Sequence, residues 1–121
     1  MPGLFIFISE GNNAGLITEI INQEGSTIPN ALVILSAYRE TEKENLRFAK
    51  NIAMTEIPVL DLILSKDNPR VKPSATLRKT QTEKELKVIY RQKLIHNLTP
   101  NYYPEVALTK EIRGWLKSIG W

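Results

Sequence analysis

Two acidic residues stand directly after apolar runs: Glu10 after Leu4-Phe5-Ile6-Phe7-Ile8, and Asp67 after Ile57 to Leu64. In open α/β sheets, ligands bind outside the carboxyl ends of the strands, so residues that close an apolar run are the first place to look for chemistry. On neighbouring strand ends, Glu10 and Asp67 would share a divalent cation such as Mg, with waters completing its shell. That pair is the catalytic and metal-ligating candidate for a divalent-metal-dependent nuclease or phosphoryl-transfer enzyme, and magnesium is a cofactor on that reading alone. The bland explanation is that polar residues follow any buried strand because the chain is reaching the surface. The second run ends in the equally polar Ser36-Ala37-Tyr38-Arg39-Glu40. Gly11-Asn12-Asn13-Ala14-Gly15 opens a helix whose free amides suit a phosphate or carboxylate, yet turn and cap requirements explain these residues equally well.

A second constellation is cationic. Residues 1–64 hold four Lys/Arg against eight Asp/Glu, whereas residues 65–121 hold twelve against five. Lys84, Lys87 and Arg91 share one flank of an expected helix, Lys110, Arg113 and Lys117 share another, and Lys72, Arg78 and Lys79 lie in the connection before them. Joined in one surface, these nine would contact phosphates of a nucleic acid, with Tyr102 and Tyr103 stacking on unpaired bases. Reversal of Lys87 and Arg91 to Glu then weakens binding and leaves folding intact. Lys-rich outer faces of ordinary amphipathic helices are the competing explanation.

Other chemistry is bounded by what the chain lacks. It has no Cys and a single His, His96, so thiol chemistry and the common zinc sites are excluded, and His96 reads as structural. With 121 residues and 42% hydrophobic content, the chain suits one domain, 1–121, able to bury a core without disulfides. No apolar run approaches a membrane span, and the run 4–8 has no preceding basic residue to make it a signal peptide, so no membrane and a cytoplasmic location are expected.

Elements that position these residues follow from periodicity. Residues 4–8 form a continuous apolar run, expected as a central strand buried on both faces. Asn12 or Asn13 caps a helix over 13–24, stopped by Gly25 and carrying Leu16, Ile17, Ile20 and Ile21. Ala31 to Leu35 is a second buried strand. The capping box Thr41-x-x-Glu44 opens a helix to about Met54, with Leu46, Ala49, Ile52 and Ala53 inward. Ile57 to Leu64 is a third strand. This β-α-β-α-β order over residues 4–65 predicts a small three-layer α/β domain with a mainly parallel sheet. The core 1–66 is followed by a basic, mostly helical part, 67–121, packed on it.

Within that part, 67–73 reads as an irregular polar connection. Thr82 and Glu85 form a second box before a helix over 83–97, although a hairpin pairing 75–80 with 86–91 stays open. Leu108, Ile112, Trp115, Leu116 and Ile119 mark a last helix capped by Thr109. Trp115 reads as core, and Trp121 as a contact to a partner or second copy.

Glu10-Gly11 after a strand resembles the metal-dependent Toprim domain over residues 4–67, although the later strand end reads Ser65-Lys66-Asp67 where that family has Asp-x-Asp. Residues 17–26 resemble the helix motif of LAGLIDADG homing endonucleases, with Glu24 in the place of the metal-binding acid. The two fit one stretch incompatibly, and neither assigns the chain. The leading expectation is a non-catalytic α/β binding or regulatory module that contacts nucleic acid through its basic half. The metal-dependent enzyme is the first alternative, and an oligomeric assembly subunit joined through the C-terminal helix is the second.

Overall fold

The computed structural model describes residues 5–23, 28–87 and 89–121. Eight elements alternate strictly: β1 (Ile6–Glu10), α1 (Asn13–Ile21), β2 (Ala31–Leu35), α2 (Glu42–Met54), β3 (Val59–Leu64), α3 (Val71–Lys84), β4 (Tyr90–Ile95) and α4 (Glu105–Ser118). The four strands form one parallel sheet in the order β1-β2-β3-β4, with Ile8 opposite Val33, Val33 opposite Leu60 and Leu60 opposite Arg91.

Because the order never reverses and parallel crossovers are right-handed, α1, α2 and α3 all fall on one face. There Leu32, Ile34 and Val59 pack against Ala14, Ile21, Phe48 and Ile52. The chain leaves β4 for the other face, where α4 lays Trp115, Leu108 and Ile112 on Val33, Leu35, Leu60, Leu62 and Leu64. β2 and β3 are buried throughout, as expected of inner parallel strands covered on both sides. Each large aliphatic side chain so enclosed contributes about 1.5–3 kcal/mol. The expected three-layer α/β domain with a parallel sheet is therefore present, with a helical C-terminus.

Several local expectations are corrected. β1 is an edge strand rather than a central one, and Ile8 on it is exposed. α1 ends at Ile21; Glu24 and the Gly25 stop lie outside the described residues. Asn12 occupies its N-cap position in helical conformation without a capping hydrogen bond, and its side-chain oxygen is buried and unpartnered. In α2, Thr41 Oγ1 accepts from the Glu44 amide (3.1 Å), but its hydroxyl donates to Glu44 Oε1 (2.9 Å), so the carboxylate returns to the hydroxyl rather than to the Thr41 amide. Leu46 points outward, and Phe48, Ala49, Ile52 and Ala53 form the inner face.

The largest difference lies in 67–97. α3 begins within the presumed connection, and the presumed helix 83–97 instead holds the end of α3 and strand β4. The buried face of α3 is Val71, Ser74, Ala75, Arg78 and Thr82, small or polar side chains that leave no apolar periodicity to read. Pro73 falls in its first turn, where no amide is needed. Thr82 is interior to α3, its hydroxyl donating to the Lys79 carbonyl (2.9 Å), so the second box caps nothing. β4 pairs with β3, not in a hairpin. α4 starts at Glu105 after Pro104, which makes Thr109 an interior residue rather than a cap.

A buried ion pair ties these layers together. Asp61, in the middle of β3, accepts from Arg78 Nε at 2.6 Å and Nη2 at 3.0 Å, both residues being fully enclosed. Arg78 Nη1 donates to the Ala37 carbonyl (3.0 Å) and Ser74 Oγ (2.7 Å), and the guanidinium lies over the Phe48 ring at 5.1 Å. Tyr90 donates its hydroxyl to Asp61 Oδ2 at 2.6 Å. Burial opposes the charge on Arg78, and the Asp61 carboxylate outweighs it, so the guanidinium holds its proton more tightly. Burial, and then the same carboxylate, pushes the Tyr90 phenol far above its ordinary value.

Candidate functional site

The carboxyl ends of the strands carry a compact polar cluster. Ser36, immediately after β2, has φ +49 and donates its amide to the Leu62 carbonyl (2.8 Å). Its hydroxyl donates to Asp67 Oδ2 at 2.7 Å and stands 2.7 Å from the Tyr103 hydroxyl. Since the single Ser36 proton goes to Asp67, the phenol is the donor between them, its one proton shared between Ser36 Oγ and the Leu62 carbonyl at 3.1 Å. Asp67 further accepts from the Leu64 amide (2.9 Å) and the Asn68 amide (2.8 Å). Burial pushes the Tyr103 phenol above its ordinary range; its hydrogen bonding with Ser36 opposes this, and the Asp67 and Glu10 carboxylates reinforce it. Glu10 and Asp67 therefore lie at the same end of the sheet, within electrostatic reach of one phenol.

What this cluster can do is limited by its internal hydrogen bonds. Asp67 receives three donors, two on Oδ2 and one on Oδ1, which leaves one lone-pair site of the carboxylate for a cation. Among the described residues no group of three or more His, Cys, Asp or Glu is placed to hold a metal ion. His96 follows β4 and is exposed, while the adjacent Asn97 is buried and clasps two loops. Its Oδ1 accepts from Ser65 Oγ (2.9 Å) and the Lys66 amide (2.8 Å), and its Nδ2 donates to the Lys66 and Thr99 carbonyls. Sequence reading noted Ser36 only as the polar end of the second run and missed the role of Asn97, because a single Asn at a loop start carries no pattern.

At the start of α1, Gly11 adopts φ +62, and a Cβ on Gly15 would sit 2.3 Å from Arg39 Cδ. Arg39 packs there, donating to the Asn12 carbonyl (3.2 Å) and to Glu44 (3.0 Å). A cavity of about 540 Å³ opens between the β2–α2 and β3–α3 loops, lined by Arg39, Glu40, Thr41, Asn45, Arg70 and Ser74 among others, with Arg70 and Glu40 paired across it.

The nine cations expected on one surface are separated. Arg78 is removed from any surface by its pairing with Asp61. Lys87 donates its ammonium to the Thr55 carbonyl (2.5 Å) and the Ile57 carbonyl (3.0 Å) after α2, and burial lowers its pKa; its reversal to Glu would strike the fold. Lys72, Lys79 and Lys84 are exposed on α3, on one side of the sheet. Lys110, Arg113 and Lys117 are exposed along α4 on the other, beside an open groove of about 480 Å³. Arg91 and Lys93, paired with Leu60 and Leu62, project on the α4 side, where Lys93 stands 3.8 Å from Glu111. Tyr103 is committed to the cluster above, which leaves Tyr102 as the exposed tyrosine of the two.

Trp115 is core, as expected, and Trp121 is 40% exposed, with its amide bonded to the Leu116 carbonyl (2.9 Å). The apolar stripe of α4 rests on the sheet, so it is not free to join another chain. No described helix is long and apolar enough to cross a membrane.

Comparison with curated proteins and with solved structures finds no match to this chain. A family model does match, over residues 4–118, and the chain belongs to that family, described as a protein of unknown function (DUF3530).

Proposed function

We propose that this chain is a small non-catalytic α/β binding module that contacts a polyanion, of which nucleic acid is the test case, through the outer face of α4 and the neighbouring edge of β4. The observation that carries this reading is the shared side of the sheet: Arg91 and Lys93 project toward the layer whose outer surface bears Lys110, Arg113 and Lys117. The three α4 residues lie at helical spacing opposite the stripe that packs on the sheet. They face solvent without a carboxylate partner within 4 Å among the described residues. The non-catalytic part rests on the strand-end cluster, whose hydroxyls and carboxylate satisfy one another.

The experiment is fluorescence anisotropy with labelled single- and double-stranded DNA and RNA at about 50 and 200 mM salt, where phosphate contacts predict a steep loss of affinity. Lys110→Glu, Arg113→Glu and Lys117→Glu together should lower the slope of log K against log salt by about three units on duplex DNA, since each neutralised phosphate supplies about 0.9. The same triple reversal should leave thermal unfolding nearly unchanged. Absence of binding at low salt, or an unchanged slope, would refute the assignment. The alternative, a metal-dependent activity using Glu10 and Asp67, is favoured by their common location at the sheet end. It requires magnesium-dependent cleavage that Asp67→Asn abolishes.

A further inference from the structure

We propose that the edge of β1 that pairs with no strand among the described residues is a self-association surface, on which a second copy of this chain pairs β1 against β1 in antiparallel fashion about a two-fold axis at Ile8. The hydrogen bonds of β1 show which groups are unused. The Phe5 carbonyl accepts from Asn30 and the Gly11 amide donates to Leu35, both at 2.9 Å, so the odd-numbered residues address β2. Main-chain groups alternate in direction along a strand, and Ile6, Ile8 and Glu10 therefore aim their N–H and C=O groups at the free side.

From Phe5 to Ser9 nothing on this edge discourages pairing: the stretch contains no charge and no proline, and the one charge of β1, the exposed Glu10, ends the strand. The opposite edge, β4, carries exposed Arg91 and Lys93 along its middle. Natural sheets protect their edges with such charges, and here one edge has them at its centre and the other only at its end. The surroundings are apolar as well: Ile8 is 57% exposed, Leu16 46%, Ile20 50% and Phe5 38%. On α1, Gly15 and Glu19 face α2 through Arg39 and Arg47, which turns Leu16 and Ile20 to the side away from α2, the side of the free edge. A two-fold pair would cover these side chains from both copies and bury on the order of 1,000 Å² in total, the lower end for a specific interface.

Charge selects the antiparallel arrangement. Centred on Ile8, it sets Ile6 of each copy opposite Glu10 of the other and holds the two Glu10 carboxylates about 14 Å apart, beyond the screening length of about 8 Å at physiological salt. In-register parallel pairing would place the same carboxylates on adjacent strands about 4.8 Å apart. Growth of β1 onto the β4 edge of a further copy would give an open filament.

Sedimentation equilibrium of the full chain from about 1 to 200 µM tests this, with a reversible dimer expected. Ile8→Lys should raise the dimer dissociation constant about 100-fold or more, because a charge replaces a central apolar contact twice in the symmetric interface. Ile8→Pro should have the same effect, since it deletes an amide that faces outward and costs no internal bond. Near-ultraviolet circular dichroism and the unfolding midpoint, taken at monomeric concentration, should match the parent chain for at least one of the two variants. A monomer throughout the range, a dimer that both folded variants retain, or a mass that climbs without a plateau would each overturn the proposal.

Discussion

Replacing Arg78 with Met is the most informative single perturbation, because the two readings of that residue predict opposite results. As a surface cation it would be dispensable for folding and needed for binding phosphates. As the partner of Asp61 it is needed for folding. The substitution keeps an unbranched stem but is shorter, and it removes both charge-assisted bonds to Asp61, the donor to Ala37 and Ser74, and the cation over the Phe48 ring. Asp61 remains enclosed with only Tyr90 and Gln92 as side-chain donors. Breaking a buried pair on one side costs about 3–5 kcal/mol. For a chain of this size each kcal/mol moves the midpoint by about 4 °C, so a fall of about 12–20 °C is expected.

The double variant Asp61→Leu with Arg78→Met leaves no unpaired charge and should be more stable than Arg78→Met alone. Urea unfolding monitored by Trp115 fluorescence measures all of these. A loss below about 1 kcal/mol for the single variant, or a double variant less stable than the single, would refute the structural assignment.

Two further outcomes concern the cap and the strand-end cluster. Thr41→Ala should cost about 1 kcal/mol at neutral pH, read by urea unfolding. The hydrogen bond from Thr41, and then that from Arg39, hold the Glu44 carboxyl below its ordinary 4.5, so this part of the stabilisation is present above that value and is lost as pH falls through the folded one. The gap between Thr41→Ala and the parent should accordingly narrow in acid without closing, since the bond to the Glu44 amide does not titrate. Tyr103→Phe should cost about 1 kcal/mol in the same assay, one net hydrogen bond, and leave polyanion affinity unchanged because the ring packs rather than stacks on bases.

The alternation of apolar runs with capped polar segments made the first five elements legible, because Ala31 to Leu35 and Val59 to Leu64 are enclosed on both faces and must be apolar at every position but one. That exception, Asp61, is where pattern failed. A lone acid in a strand and a lone arginine in a polar helix give no sign that they meet across 17 residues. α3 was illegible for the same reason: its core face is one valine, two small residues, a threonine and the arginine of the ion pair rather than a stripe of leucines. At the strand ends Glu10, Ser36 and Asp67 could be located by their place after apolar runs, whereas Tyr103, which bonds the Ser36 hydroxyl that donates to Asp67, could not.

By itself the sequence determined the alternation of the first five strands and helices, the parallel sheet that short right-handed crossovers impose, and the excess of positive charge in the second half. Only the tertiary structure decided strand order, and strand order is what matters for β1. An unbroken apolar run specifies burial on both faces equally well at the centre of a sheet and at an edge awaiting a partner, since the hydrophobic effect has no direction and says how much area to cover but not what covers it.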